Sequence, residues 1–290
     1  MRLIVPFTAG AGTDSTARLV AAKMSELWGQ QVVADNRTGA TGSIGVEITA
    51  HAVPDGYTIC LISASHSVNA AVNPKLPYDL TKDLAGVSQL TSLFYAVYIN
   101  PTVPVNSVKE LIAYAKANPG KLNYGSSGTG GLEHFAGEMF NYMAGTKIVH
   151  IPFKGAASAI LANLANEIQL GYSTWIGVKP QVTSGRLRLL AITAAKRSPA
   201  LPDTPTVAET VPGYEVNQWY GIIISSKVPP ALVKKINAGI VAALKSPDVV
   251  QRLVADGSVP VGSSPEQFSA HIKSEIAKWL ELVKKTGMKF

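Results

Sequence analysis

A short stretch near the start of the chain has the residues of an anion-binding loop. An apolar run, residues 3–5, indicates a buried strand, and from Thr16 onward apolar side chains repeat with the spacing of one helix face. The segment between them contains two glycines, followed by Thr13 and Asp14, both common types at a helix N-cap. N–H groups at a helix start have no partner inside the helix, and the helix dipole favours negative charge there. Residues 7–14, the first loop, therefore predict an anion site. Its candidate contacts are Phe7, Thr8, Ala9, Gly12, Thr13 and Asp14.

The same arrangement recurs in the middle of the chain. Residues 122–124 indicate a strand, residues 125–131 are small loop residues, and residues 132–143 have the pattern of a helix. Two anion-seeking loops, far apart in sequence, predict one ligand held between two halves of the molecule. The alternative is that residues 126–131, the second loop, form only a tight strand-to-helix turn. The candidate contacts of the second loop are Ser126, Ser127, Thr129 and Gly130.

The sequence contains no residue set with the spacing of a known catalytic or metal centre. The nucleophile-elbow and phosphate-loop patterns are absent, and Ser15 stands where a dinucleotide-binding loop needs its third glycine. The histidines have no partner at metal-ligand spacing, so we expect neither a metal nor a cofactor. His66 is kept as a candidate ligand contact because its loop follows a predicted strand. The single cysteine, Cys60, excludes an internal disulfide and is expected to be a small buried hydrophobe.

Three of the notable side chains also have a purely structural interpretation. The Asp14 carboxylate is expected to cap its own helix, which is compatible with a ligand contact through the Asp14 backbone. Trp175 and Trp219 are either core residues or walls of a ligand site, and the sequence leaves both possibilities open.

Alternating strands and helices are predicted to position these loops. The first 62 residues give the order strand, helix, strand, helix, strand, which implies parallel strands with right-handed crossovers. Residues 63–67 are predicted as a polar loop at the carboxyl end of the third strand, where parallel sheets bind ligands. Residues 84–92 and 94–100 indicate two further extended runs, and a second series of alternating elements starts at residue 122.

The order of these elements predicts two α/β domains. The first takes residues 1–100 and 222–290 and carries the first carboxylate loop, and the second takes residues 101–221 and carries the second ligand loop. The second domain is inserted in the first, so two crossing strands would make a hinge. Residues 97–100 and 220–225 are the candidate crossing segments.

The overall composition is that of a compact globular protein. The 290 residues are 47% hydrophobic and 16% charged, and no apolar run approaches the length that spans a bilayer. The net charge of +7 is scattered and forms no basic stripe interleaved with aromatics, which argues against nucleic-acid binding and suits the steering of a carboxylate. The chain begins with Met1 and a strand, so we expect either a cytoplasmic protein or a mature form whose leader was removed.

Longer motifs are distributed along the whole chain. They are residues 3–7 with 9–10, 12–14 and 17–18, then 36–40 with 42–45, 54–58 (Pro-Asp-Gly-Tyr-Thr), 76–79 (Leu-Pro-Tyr-Asp), 116–124 (Lys-Ala-Asn-Pro-Gly-Lys-Leu-Asn-Tyr), 150–155 (His-Ile-Pro-Phe-Lys-Gly), 195–199 and 201–209 (Leu-Pro-Asp-Thr-Pro-Thr-Val-Ala-Glu). Together they resemble the substrate-binding proteins of tripartite tricarboxylate transporters, the Bug-type receptors. The resemblance covers nearly the whole chain and begins abruptly at the first strand.

The resemblance implies an α/β periplasmic binding protein of type II, with two lobes, mixed and parallel sheets, flanking helices and a hinge. In that family one carboxylate typically rests on backbone N–H groups of the first strand–helix loop, and two ordered waters bridge it to loops of both lobes. The matching positions are residues 7–14 and, opposite, residues 126–130. The turn at Lys154 and Gly155 implies a further helix N-terminus beginning at Ala156. Membrane permease subunits are the implied partners, and a periplasmic location with the leader removed is the implied setting.

The resemblance also bears on the ligand. Relatives often carry an acidic residue after the strand that follows the Lys-Gly turn, whereas this chain has Ser173 and Trp175 there, with no carboxylate nearby. Ser173 and Trp175 are candidate contacts, and a monocarboxylate or dicarboxylate, including aromatic ones, is favoured over an amino acid. We expect a monomer. The alternative function is a cytoplasmic α/β enzyme that acts on small carboxylic acids, for which the sequence shows no acid/base pair; a partner-binding scaffold is the third and weakest class.

Overall fold

The computed structural model describes residues 1–10 and 12–287, which form two compact units. Unit 1 comprises Met1–Ser92 and Trp219–Phe290, and unit 2 comprises Leu93–Gln218. The predicted divisions, after residues 100 and 221, lie further along the chain than the observed ones at both crossings. The functional roles assigned to the two lobes stay predictions.

Strands and helices alternate through most of the described residues. The strands are β1 (Arg2–Val5), β2 (Val33–Asn36), β3 (Thr58–Ser63), β4 (Leu84–Ile99), β5 (Asn123–Ser126), β6 (Val149–Pro152), β7 (Leu170–Thr174), β8 (Arg188–Ile192), β9 (Asn217–Ser225) and β10 (Ser258–Pro260). The α-helices are α1 (Gly12–Trp28), α2 (Ser43–Ala50), α3 (Ala64–Val72), α4 (Val108–Ala117), α5 (Leu132–Ala144), α6 (Ala156–Leu164), α7 (Trp175–Thr183), α8 (Pro230–Lys245), α9 (Pro247–Ala255) and α10 (Pro265–Thr286). Among the residues described, none of the helices has the length and apolar character needed to cross a membrane.

Unit 1 contains a sheet in the order β2-β1-β3-β9. β1 pairs in parallel with β2 and β3, so that Leu3 lies opposite both Ala34 and Ile59. β9 is antiparallel to β3 and places Ile223 opposite Cys60, which is buried as predicted. Because β1 and β3 are parallel, the segments that follow them leave the sheet at the same edge.

The prediction of a polar loop at residues 63–67 is wrong, because α3 begins at Ala64 directly after β3. Ser63 is the N-cap residue, and its backbone N–H donates to Nδ1 of His66 at 3.1 Å. This is a capping box in which histidine occupies the place usually taken by glutamate or glutamine. The unusual residue type hid the helix start from the sequence pattern.

Unit 2 contains the strands β4, β7, β5 and β6 in that order, with β8 also paired to β4. β5 is parallel to β6 and β7, whereas β4 is antiparallel to β7 and β8. The two extended runs predicted at residues 84–92 and 94–100 are one continuous strand, β4, whose pairing with β8 shifts register between Val97 and Tyr98. β4 is thus one of the two strands along which the chain crosses the unit boundary.

Trp175 and Trp219, which the sequence leaves as either core residues or walls of a ligand site, both lie in core positions. Trp175 is 6% exposed and packs with Tyr98 and Val178 in the core of unit 2. Trp219 is buried in unit 1, where its ring meets Phe268 edge to face and its Nε1–H donates to Glu275 at 3.3 Å. A ligand contact of Trp175 stays a prediction.

Helix α5 approaches β5 closely at Gly137. A Cβ at this position would overlap the ring of Tyr124. The Tyr124 hydroxyl donates to Oε1 of Glu138 at 2.7 Å and lies 3.0 Å from the carbonyl oxygen of His134. Gly137 therefore lets the Tyr124 ring of β5 pack against the first half of α5, the helix that follows the second loop.

We expect Gly137→Ala to lower the free energy of unfolding by about 1–3 kcal/mol, because the Tyr124 ring has to move away from a well-packed position. Urea unfolding measures the loss. Gly177→Ala in α7 is the matched control: its Cβ would meet the rotatable Ser173 hydroxyl at 3.0 Å, and alanine favours a helix by about 1 kcal/mol over glycine. An equal loss in both variants would contradict the steric role of Gly137.

Candidate ligand-binding site

The Asp14 carboxylate is the centre of the first loop. It accepts hydrogen bonds from the Gly10 N–H (3.1 Å), from Arg18 Nε (3.0 Å to each oxygen) and from Asn36 Nδ2 (3.0 Å). Asn36 Nδ2 also lies 3.0 Å from the carbonyl oxygen of Phe7, to which it donates. These bonds join both ends of the loop to the last residue of β2, so the shape of the loop is fixed by groups within unit 1.

Asp14 stays charged although its side chain is only 6% exposed. Burial raises the pKa of the carboxyl group, but the hydrogen bonds from Arg18, Asn36 and Gly10, together with the positive charge of Arg18, outweigh burial and lower the pKa below its usual value. Arg18 is half-exposed and neutralises the carboxylate. The negative charge of Asp14 is therefore balanced by Arg18, one turn further along α1.

The expectation that Asp14 is the N-cap of its helix is wrong in detail. α1 begins at Gly12, so Thr13 and Asp14 lie in its first turn, and Asp14 reaches back to the Gly10 N–H. Gly10 has a φ of 84°, which glycine adopts without steric cost. The predicted loop also included Ala11, which lies outside the described residues. First-turn N–H groups have no partner four residues earlier in the helix, so the backbones of residues 12–14 suit an anion.

His66 lies behind the first loop and not on its surface. The side chain is 1% exposed, and its ring centroid is 5.4 Å from that of Phe7 in an edge-to-face contact. Burial lowers the pKa of His66 to about 4, and backbone hydrogen bonds with Ser63 and Gly42 offset only part of that effect. The neutral ring supports Phe7, and a direct ligand contact of His66 stays a prediction.

The backbone of the second loop is bonded largely within unit 2. The Gly128 N–H donates to Ser126 Oγ (3.1 Å), the Gly131 N–H to the Gly128 carbonyl (3.2 Å) and the Gly130 N–H to His134 Nδ1 (3.2 Å). Of these three glycines only Gly130 is a predicted ligand contact, and that contact stays a prediction. The three N–H groups hold the loop in shape.

Two stacked histidines support the second loop. The rings of His134 and His150 lie 3.7 Å apart at an angle of 12°, and His150 Nε2 is 2.6 Å from Ser126 Oγ. The parallel pairing of β5 with β6 places Tyr124 opposite His150, which brings together histidines that are isolated in sequence. Burial lowers the pKa of both imidazoles, and the charge of His150 would lower that of His134 further, so both rings are neutral at neutral pH.

Glu133, in the first turn of α5, is the buried acid that sequence reasoning missed. The residue is 6% exposed, and its Oε2 accepts the Ser127 hydroxyl proton at 2.7 Å. The Tyr95 hydroxyl also donates to Glu133, and Gln218 Nε2 donates to the Tyr95 oxygen at 2.6 Å. Burial raises the pKa of Glu133, and the hydrogen bonds from Ser127, its own N–H and Tyr95 offset only part of the rise. The sequence signal that could have indicated Glu133 is an acidic residue in the first turn of a predicted helix, directly after a loop that ends in two glycines.

The remaining predicted contacts occupy varied positions in unit 2. Lys154 is exposed, and Gly155 is the N-cap of α6 with a φ of 129°, which places the helix start at Ala156 as expected. Thr129 is exposed in the second loop, and Ser173 is buried in β7. Within the described ranges, His, Cys, Asp and Glu form no group of three or more that could hold a metal ion.

Residues 16–288 match a family described as the tripartite tricarboxylate transporter family receptor. The chain belongs to this family. The resemblance drawn from the sequence motifs is thereby confirmed, and the tripartite transporter receptors are not a family of enzymes.

Several known receptors resemble the chain over nearly its full length. Protein BugT of Bordetella pertussis is 34% identical over 292 residues, which cover 100% of this chain and 90% of BugT. A solved structure of a periplasmic transporter is 39% identical, with a TM-score of 0.96 and coverage of 100% of this chain and 97% of that one. The R. palustris protein Rpa4515, solved with adipate, is 35% identical, with a TM-score of 0.95 and coverage of 99% and 97%. MatC from Rhodopseudomonas palustris, solved with malate, is 28% identical, with a TM-score of 0.91 and coverage of 98% of each chain. These similarities confirm the predicted α/β periplasmic binding protein fold with a mixed sheet.

The neutral His66 of this receptor leads to a prediction about acid stability. The pKa falls from 6.5 in the unfolded chain to about 4 in the folded one, so between these values the unfolded chain binds more protons. Stability from this residue is complete above pH 6.5 and is lost at about 1.4 kcal/mol per pH unit as the pH falls toward 4. We expect His66→Gln to remove that slope, because a Gln oxygen accepts the Ser63 N–H and does not titrate.

Urea unfolding at several pH values between 6.5 and 4 measures the slope. His51→Gln is the matched control, since His51 is exposed at the end of α2. The same pH slope in His66→Gln and the parent would show that His66 is not the buried neutral group described above.

Proposed function

We propose that this receptor binds a small organic carboxylate in the periplasm and delivers it to the membrane subunits of a tripartite transporter. Two relatives support this ligand class, because Rpa4515 was solved with adipate and MatC with malate. The observation that carries the proposal is the first loop, in which Asp14 is bonded to Gly10, Arg18 and Asn36 while α1 begins at Gly12.

The proposed mechanism of binding uses backbone donors. The carboxylate of the ligand accepts hydrogen bonds from N–H groups in the first turn of α1, where the helix dipole is positive. Backbone donors are rigid and need no charged partner, so the site is organised before the ligand arrives. The ion pair of Asp14 with Arg18 supports this assignment, because it keeps the buried acid of the loop from repelling a second anion.

The remaining features of the proposal come from the family resemblance and from the composition of the chain. The ligand is a monocarboxylate or dicarboxylate, including aromatic acids, and ordered waters bridge its carboxylate. It also contacts the second loop of unit 2 and the turn at residues 154–155. The receptor acts as a monomer, its net charge of +7 steers acids toward it, and its partners are permease subunits and not nucleic acid.

Titration calorimetry against a panel of carboxylates tests the proposal. We expect at least one small acid to bind and to raise the melting temperature as its concentration increases, because it binds only the folded state. Amides of the same acids, which lack the charge, serve as controls and should bind much more weakly. If no carboxylate bound, or if the bound acids were converted to products, the proposed receptor function would be wrong.

Gly12→Val tests whether the first loop is the anion site. The added β-branched side chain stands where the backbone has to approach the carboxylate. Charge-assisted hydrogen bonds contribute roughly 1.5–3 kcal/mol each, so losing two should weaken binding by at least about a hundredfold. Ser15→Val introduces the same side chain into α1 at a half-buried position outside the loop and should keep the parent affinity. A folded Gly12→Val protein with parental affinity would move the anion site elsewhere.

A further inference from the structure

A buried acid, Glu133, follows the second loop of unit 2 and accepts hydrogen bonds from two hydroxyls. Ser127 Oγ lies 2.7 Å from Glu133 Oε2, and Glu133 also accepts from the Tyr95 hydroxyl. Gln218 Nε2, which can only donate, lies 2.6 Å from the Tyr95 oxygen. Because the Tyr95 oxygen accepts from Gln218, the Tyr95 proton is directed to Glu133. The Ser127 hydroxyl is likewise the donor in its bond to Glu133 Oε2.

This direction determines what Ser127 offers to a ligand. A serine hydroxyl has one proton and two lone pairs, and the proton of Ser127 is used by Glu133. The Ser127 oxygen therefore remains as an acceptor only. Ser127 is half-buried, so this oxygen is within reach of a ligand, whereas Glu133 itself is 6% exposed.

Three backbone donors of the second loop are already used within unit 2. The N–H groups of Gly128, Gly130 and Gly131 are bonded to Ser126, His134 and the Gly128 carbonyl. The start of α5, which would otherwise attract an anion, already holds the carboxylate of Glu133. A ligand carboxylate at Ser127 would thus meet the lone pairs of the Ser127 oxygen.

From this geometry we infer that the second loop binds a hydrogen-bond donor of the ligand, with Ser127 Oγ as acceptor and Glu133 as the residue that positions it. The ligand is then a carboxylic acid that also bears a hydroxyl or amino group. The inference rests on the proposed function and deepens it by naming the second recognition element. Glu133 acts through Ser127 and is a positioning residue.

Matched acids that differ only in one donor test the inference by calorimetry. The probes are succinate with L-malate and L-aspartate, glutarate with 2-hydroxyglutarate and L-glutamate, and benzoate with 4-hydroxybenzoate. We expect the donor-bearing member to bind about tenfold tighter or better within any set that binds, as one hydrogen bond of roughly 1–2 kcal/mol implies. Equal affinity within every binding set would overturn the inference and leave the receptor function intact.

Glu133→Gln tests the direction of the bonds. Tyr95 still has to donate to an oxygen, so we expect the Gln oxygen to turn to Tyr95 and the Gln amide N–H₂ to turn to Ser127. Ser127 then accepts from Gln and its proton is released toward the ligand. We expect the preference to shift by about tenfold or more toward the acid without the donor, because the loop now offers a proton. A purely structural loss would weaken both members of a set equally.

Two further variants keep the test decisive. Ser127→Ala removes the acceptor, so it should abolish the preference for the donor-bearing acid without reversing it. This variant still tests the inference if Glu133→Gln does not fold. Glu138→Gln is the matched control, since Glu138 lies on the same helix and also accepts from a tyrosine hydroxyl, that of Tyr124, at 2.7 Å. We expect Glu138→Gln to keep the parental preference.

The outcomes separate this inference from the proposed function. If no probe acid binds the parent protein, the receptor proposal fails and the inference falls with it. If acids bind but Glu133→Gln and Ser127→Ala leave the ratio of affinities unchanged, only the role of the second loop is wrong. A loss of preference in Ser127→Ala together with a reversed preference in Glu133→Gln supports the inference.

Discussion

A carboxylate lies in the first turn of the helix that follows each candidate loop, and each is bonded within its own unit. The start of a helix attracts negative charge, so an internal acid there either helps or hinders an incoming anion. In α1, Asp14 is paired with Arg18, and the field of the first turn is left positive. In α5, burial raises the pKa of Glu133, and the uncharged hydroxyls of Ser127 and Tyr95 offset only part of the rise. Two loops that look alike in sequence are therefore followed by acids whose pKa values shift in opposite directions.

The stiffness of the second loop comes from polar groups that satisfy one another away from water. Ser126 bonds to the Gly128 backbone and to His150, whose ring stacks on His134. Buried polar atoms are costly unless they are paired, so each of these bonds restricts the loop to one shape. The neutral state of both histidines is part of this arrangement, because a buried imidazolium would be strongly disfavoured.

Sequence reasoning predicts the features that depend on neighbours in the chain. The alternation of strands and helices, the parallel pairing of β1 with β3 and the helix start at Ala156 all follow from local periodicity and glycine placement. The first loop is found where the apolar run at residues 3–5 ends, although its helix begins two residues earlier than the cap types Thr13 and Asp14 suggest.

The features that sequence reasoning misses depend on residues that only folding brings together. His134 and His150 meet because β6 pairs with β5, and no local pattern encodes that register. The bond between Ser127 and Glu133 is linked through the Tyr95 hydroxyl to Gln218. Tyr95 and Gln218 both lie far from the loop in sequence. The family resemblance implies an acidic residue after β7, which this chain lacks. A buried acid of unit 2, Glu133, lies in α5 instead.

The fixed direction of the bonds from Gln218 through Tyr95 to Glu133 has an evolutionary consequence. Codons for glutamate and glutamine differ in a single base, and the two side chains have nearly the same shape. One base change at position 133 therefore exchanges an acceptor for a donor at Ser127 while the packing around α5 is kept. A gene of this family can therefore change the polarity of one loop by a single base while residues 7–14, encoded elsewhere, stay as they are.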